Sequence, residues 1–131
     1  LDVTVVLLEN TRGILINIKK TNSQSSPVMQ EPGTINDCLT EPWMKTLSAY
    51  ASEARTYYQN VVSPPDFERI RIDGYLLDEQ RSRHFRRLAF PIFDRGDAIG
   101  VLGIGGSVAA LSDALLPDLI AHVKAKLGGI S

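Results

Sequence analysis

The stretch Leu88-Ala89-Phe90-Pro91-Ile92-Phe93-Asp94-Arg95-Gly96-Asp97-Ala98-Ile99-Gly100-Val101-Leu102-Gly103-Ile104-Gly105-Gly106 consists of two apolar runs joined by the polar group Asp94 to Asp97. Two such runs about a tight turn containing glycine predict a β-hairpin. The second run has apolar residues on both faces, which predicts a central strand covered on both sides and not a solvated edge. Gly103 and Gly105 are two apart and so point to the same face of the sheet. A glycine inside a strand forfeits side-chain packing, so a helix or a small ligand is expected to approach closely at these positions.

Downstream of this hairpin, Leu116, Leu119, Ile120, Val123 and Leu127 form the apolar stripe of a final helix, which Gly128-Gly129 would stop. Ser112 is a suitable cap, but Pro117 falls where a backbone N–H would be needed, so the helix either begins near Pro117 or is kinked there. Upstream, Tyr75-Leu76-Leu77-Asp78 reads as extended, and the polar run Glu79 to His84 reads as a surface loop. Asp66 to Ile72 has the pattern of a short helix with Phe67, Ile70 and Arg71 facing inward, and Gly74 suits its left-handed terminus. Trp43, Leu47, Tyr50, Ala51, Ala54 and Tyr58 recur every three or four residues, the stripe of a longer helix. Thr40 would cap that helix, with Glu41 in its first turn and Pro42 where a missing N–H does no harm; Ser63-Pro64-Pro65 would end it. At the start of the chain, Asp2 to Leu8 and Gly13 to Ile18 read as two antiparallel strands, and Pro27 to Gln30 as a short third strand before the Pro32-Gly33 turn. Strands, then helices, then strands and a last helix predict an α+β fold: an antiparallel sheet with helices packed on its faces.

With 131 residues, the chain is expected to be a single domain, residues 1–131, large enough to bury a core without staples. Hydrophobic content of 44% and charged content of 22% are those of a globular protein. A net charge of -1 argues against this chain clamping a nucleic-acid backbone by itself. The single cysteine, Cys38, excludes an internal disulfide and fits a reducing compartment. No run approaches ~18 apolar residues, so no transmembrane helix and no membrane partner are expected. The chain opens at Leu1 directly into a strand pattern, as a domain taken from a longer protein would.

Three stretches together resemble the C-terminal effector-binding domain of the isocitrate lyase regulator (IclR) family of bacterial transcription factors, a GAF-like domain. Ala98 to Asp113 is similar to the family's glycine-rich strand and the Gly-Pro-x-x-Arg-Leu-Thr segment before its last helix. Arg71-Ile72-Asp73-Gly74-Tyr75-Leu76-Leu77-Asp78-Glu79 resembles Arg-Gly-Tyr-x-x-Asp-Asp-Glu-Glu, and Gly33 and Lys45 keep the spacing of a Gly-x-x-x-Pro-x-His-x-Thr-Ala-x-Gly-Lys segment. Departures are concentrated in that third stretch: Leu39 stands at the His, Glu41-Pro42 at Thr-Ala and Met44 at the small Gly, while Ser107 replaces the usual Pro. The resemblance implies a GAF/profilin-like fold. It also implies a cytoplasmic regulator whose DNA contacts belong to a winged helix-turn-helix outside this chain. A small-molecule effector would control those contacts allosterically, in a homodimer or dimer of dimers.

The same resemblance places Asp78 at the rim of the effector pocket, and Gly103 and Gly105 at two floor positions that are often Ser in the family. Trp43, Met44 and Cys38 border the same cavity by analogy, and Arg87 lies near a position often occupied by Cys. Asp78 would accept a hydrogen bond from a hydroxyl or ammonium, or else be an ordinary turn residue. Arg87, or its neighbour Arg86 on the opposite strand face, could grip a carboxylate bidentately, which makes a carboxylate metabolite the effector class to expect; the bland reading is a solvated edge-strand charge. Glycines at positions 103 and 105 either enlarge a cavity or admit a closely packed helix. Trp43 and Met44 read equally as ordinary core, and Cys38 as an inert thiol. His84 and His122 have no partner at ligand spacing, so no metal or cofactor is expected. The mixed charges of Arg69, Arg71, Arg81, Arg83, Arg86 and Arg87 with Glu68, Asp73, Asp78 and Glu79 read as a solvated or interdomain face. No nucleophile–base pair or phosphate loop is legible, so an enzyme is not expected. The alternative function is a GAF- or profilin-like interaction module whose cavity is closed by Trp43 and Met44.

Overall fold

β-branched and apolar residues dominate Val3–Thr11 (β1) and Ile14–Asn22 (β2), and the two strands pair antiparallel across Arg12-Gly13. A computed structural model describes residues 3–22, 32–33, 35–36, 42–51, 64–80 and 84–128. After β2 come Ile35–Asn36 (β3), helices Pro42–Tyr50 (α1) and Pro64–Asp73 (α2), then Leu76–Gln80 (β4), Phe85–Asp94 (β5) and Asp97–Ser107 (β6). Leu116–Gly128 (α3) closes the described chain. The strands form one antiparallel sheet in the order β3-β2-β1-β6-β5-β4. This is the expected α+β, GAF-like architecture.

The opening hairpin is β5–β6, longer than its apolar runs alone indicate, and β6 is central, lying between β1 and β5. Its turn and that of β1–β2 are built alike. Arg95 and Gly96 have φ values of 52° and 85°, and Arg12 and Gly13 have 54° and 88°. Left-handed conformation at both central residues of a two-residue loop matches the right-handed twist of the flanking strands. The Asn10 side chain supports both hairpins: its Oδ1 accepts from Gly13 N, and its Nδ2 donates to the Ala98 carbonyl.

Alternation along the strands builds a core on each face. Thr4, Val6 and Leu8 of β1 are buried on the side of α1 and α2, where Val6 and Leu8 pack with Trp43, Met44, Leu47, Phe67, Ile70 and Val101. Val3 and Val5 face the other way, toward Leu88, Phe90, Ile104, Leu116 and Val123 under α3. Covering both faces explains why β1 and β6 read as continuous apolar runs instead of alternating ones.

The helix termini follow their local chemistry. Pro42 opens α1. Gly74, with φ 79°, ends α2 by donating to the Ile70 carbonyl, as expected. Pro117 is the second residue of α3, still inside the first turn; the helix therefore begins there without needing the missing N–H. A turn capped by Ser112 precedes it, with Leu115 N donating to both Ser112 O and Oγ.

Three expectations need correction. Glu79 and Gln80 are not loop residues: they extend β4 and pair with Arg86 and Phe85. Arg71 is an exposed residue, although its Nη1 reaches the Ala49 carbonyl at 2.9 Å. A second short strand pairing occurs at Ile35–Asn36, which sequence patterning missed. The expected strand Pro27–Gln30, the cap at Thr40, Ala54, Tyr58 and Cys38 lie outside the described residues.

Candidate functional site

Strand alternation separates the two adjacent arginines of β5. Phe85, Arg87 and Ala89 face α1, while Arg86, Leu88 and Phe90 face α3. Asp78 is directly opposite Arg87 in the β4–β5 register, so it sits in the middle of a strand and not at its end. Arg87 Nε and Nη2 donate to Asp78 Oδ2 at 3.0 and 2.8 Å. The two side chains are 18% and 25% exposed, so the pair is partly shielded but still open to solvent. Coulombic attraction and a charge-assisted bond are both stronger there than between fully solvated partners.

Trp43 of α1 completes this arrangement. The Arg87 guanidinium lies 5.8 Å from the Trp43 ring centroid, within cation–π range. Trp43 itself is 1% exposed. Its ring sits on Gly103, where a Cβ would fall 2.7 and 2.8 Å from two indole carbons and 2.7 Å from Val6 Cγ2. Close helix packing therefore occupies the space above Gly103, the reading in which the glycine makes room for a helix. Gly105 is buried two residues further along β6, opposite Arg87 on one side and the fully buried Thr4 on the other. Met44 is also fully buried in the α1-side core. The fold thus brings together Asp78, Arg87, Trp43, Gly103 and Gly105 on one sheet face.

Arg86 is a residue that sequence reading undervalued. It is only 7% exposed, so the mixed charges of this region do not form a uniformly solvated face. Its Nη1 donates to the Leu111 carbonyl at 2.8 Å, and its Nη2 lies 2.8 Å from Asp113 and 3.4 Å from Glu79. Arg86 thereby pins the turn after β6 to β5. The doublet Arg86-Arg87 opposite the doublet Asp78-Glu79 was the available signal: one ion pair forms on each face of the β4–β5 ladder.

Tyr50 ties three elements together at the other end of the sheet. Its hydroxyl donates to the Ile70 carbonyl, and its ring meets Phe93 edge-on at 5.0 Å. Burial pushes the phenol above its ordinary pKa; Arg71 opposes the shift and Asp73 adds to it. Clefts of about 500 and 220 Å³ lie beside Tyr50, and neither is lined by the residues singled out from sequence. Among the described residues, no group of three or more His, Cys, Asp and Glu side chains could hold a metal ion. No described helix is long and apolar enough to cross a membrane.

Six antiparallel strands with helices on both faces and a charged pair beside α1 define the class as a GAF-like regulatory-domain fold. In particular, the fold is that of the C-terminal domains of IclR-family transcriptional regulators. IclR of Thermotoga maritima superposes with a TM-score of 0.78 at 21% identity, over 98% of this chain and 60% of that one. The C-terminal domain of the Escherichia coli regulator KdgR gives 0.74 at 22% identity, over 99% and 86%. The Agobacterium tumefaciens repressor BlcR gives 0.73 at 20% identity, over 98% and 58%. The chain thus spans less than two thirds of the Thermotoga and Agobacterium chains. These neighbours are transcriptional regulators and not enzymes. No protein-family profile and no curated protein matches the chain.

Proposed function

We propose that this chain is the ligand-sensing domain of an IclR-like transcriptional regulator, acting without catalysis. The observation that carries this reading is the fold likeness over nearly the whole chain to regulator C-terminal domains, all carrying transcription-regulator names. Asp78, Arg87, Trp43 and the backbone at Gly105 are the proposed contact groups, with Met44 and Gly103 shaping the floor; Cys38 is retained as a candidate from sequence. A ligand that favours one arrangement of the domain over another would shift how DNA-binding domains outside this chain are held. The expected assembly is a cytoplasmic homodimer or dimer of dimers, because readers of two-fold operators are themselves two-fold.

The Trp43 ring packed on Gly103 favours a second reading, an interaction module with a filled core and no effector. A thermal-shift screen of metabolites separates the two. A ligand present at 100 times its Kd adds about 2.7 kcal/mol to stability, a shift that Asp78→Ala and Arg87→Ala are expected to diminish. A screen without any shift, together with an unaltered oligomer, supports the interaction module instead.

A further inference from the structure

We infer that the ligand recognised at the Asp78–Arg87 pair is a small zwitterion of the α-amino-acid type, not a simple carboxylate. This rests on the ligand-sensing reading above and goes further by naming the chemical class. The two charges are already neutralised by each other, with Arg87 Nε and Nη2 both on Asp78 Oδ2. They are also partly withdrawn from water, at 18% and 25% exposure. A carboxylate that captures Arg87 must strand the Asp78 carboxylate in this half-shielded position, next to the incoming negative charge. A cation that captures Asp78 strands Arg87 in the same way. Leaving one member of a shielded pair without its counter-charge is the costly outcome.

A molecule carrying both charges avoids it. Its carboxylate takes the guanidinium fork, its ammonium takes Asp78, and no charge is left alone. Asp78 is on the edge strand β4, so a change of side-chain rotamer opens the pair without disturbing the β4–β5 ladder. The Trp43 ring lies beside the guanidinium, and its face can receive either an ammonium or the ligand's apolar part. Trp43 also seals the space over Gly103, which confines the ligand to the solvent-open side of the pair.

The test is calorimetric titration of the purified chain at neutral pH with sets of three related compounds. One set is L-alanine, propionate and ethylamine; another is L-phenylalanine, hydrocinnamate and phenethylamine; the remaining common L-amino acids are then screened singly. At least one amino acid is expected to bind saturably, with its deaminated acid and its decarboxylated amine each at least tenfold weaker. Asp78→Asn removes the negative charge and is expected to reverse the order, so that the plain acid binds at least as well as the amino acid. Should Asp78→Asn melt early, Arg87→Lys keeps the charge, loses the fork and is expected to weaken the amino acid at least tenfold. Acids that bind the native chain as tightly as the amino acids overturn the zwitterion while leaving ligand sensing intact. If a metabolite screen finds ligands but none is an amino acid, the inference fails in the same way; if nothing binds at all, both readings fail.

Discussion

Single residues decide how closely α1 approaches the sheet. At Gly103 even one methyl group would sit 2.7 Å from Trp43 and Val6 atoms, a separation that side chains do not tolerate. Gly103→Ala is therefore expected to destabilise the chain by about 1–3 kcal/mol, the usual cost of overpacking a tight core. Chemical denaturation measures it, and combining it with Trp43→Leu should recover much of the loss because the two changes share one space. A similar loss in both backgrounds would refute the contact. Tyr50 makes a prediction of opposite character. Burial raises its pKa above the ordinary 10.0, so the folded state holds the phenol proton longer than the unfolded chain does. The stability from this group is complete below pH 10.0 and is lost as pH rises through the folded-state value. Alkaline unfolding of Tyr50→Phe should have a shallower dependence on pH over that window.

At the scale of elements, the two hairpins turn on Arg-Gly pairs, and each puts an arginine at positive φ. A left-handed residue costs an ordinary side chain roughly 1–2 kcal/mol and asparagine less, so Arg12→Asn and Arg95→Asn are each expected to raise the melting temperature. An unchanged or lower value in both would show that the arginine side chains contribute something the turn geometry does not reveal. The segment between β6 and α3 depends instead on Arg86. Arg86→Met removes the donor to the buried Leu111 carbonyl and should cost about 1–3 kcal/mol, with faster amide exchange across 107–112 as its local signature. Turn chemistry and helix ends were largely legible beforehand, because Gly, Pro and Ser act on their own neighbours. The extent of β4 was not, since Glu79 and Gln80 are strand residues only by virtue of pairing with Arg86 and Phe85.

For the whole molecule, the arrangement of layers explains the composition. A sheet covered by α1 and α2 on one face and α3 on the other needs two apolar faces in β1, β5 and β6, which is why these strands carry almost uninterrupted apolar runs. The proposed sensing role belongs to this scale. A ligand at Asp78 and Arg87 touches β4, β5 and α1 together, so its binding free energy is available to shift their relative placement. Stabilisation that grows with ligand concentration and disappears in Arg87→Ala is the expected result, measured by thermal shift.

Residue order alone determined the central hairpin, the faces of the helices, the caps at Gly74 and Ser112, and the α+β class, because each depends on periodicity or on the conformational limits of a single residue. It also singled out Asp78, Arg87, Trp43, Gly103 and Gly105. Only the tertiary structure decided what these five do to one another. Cross-strand register paired Asp78 with Arg87, and the docking of α1 set the Trp43 ring on Gly103, filling the space that the glycine leaves. Both outcomes depend on contacts between elements distant in the chain, and local pattern carries no information about such contacts.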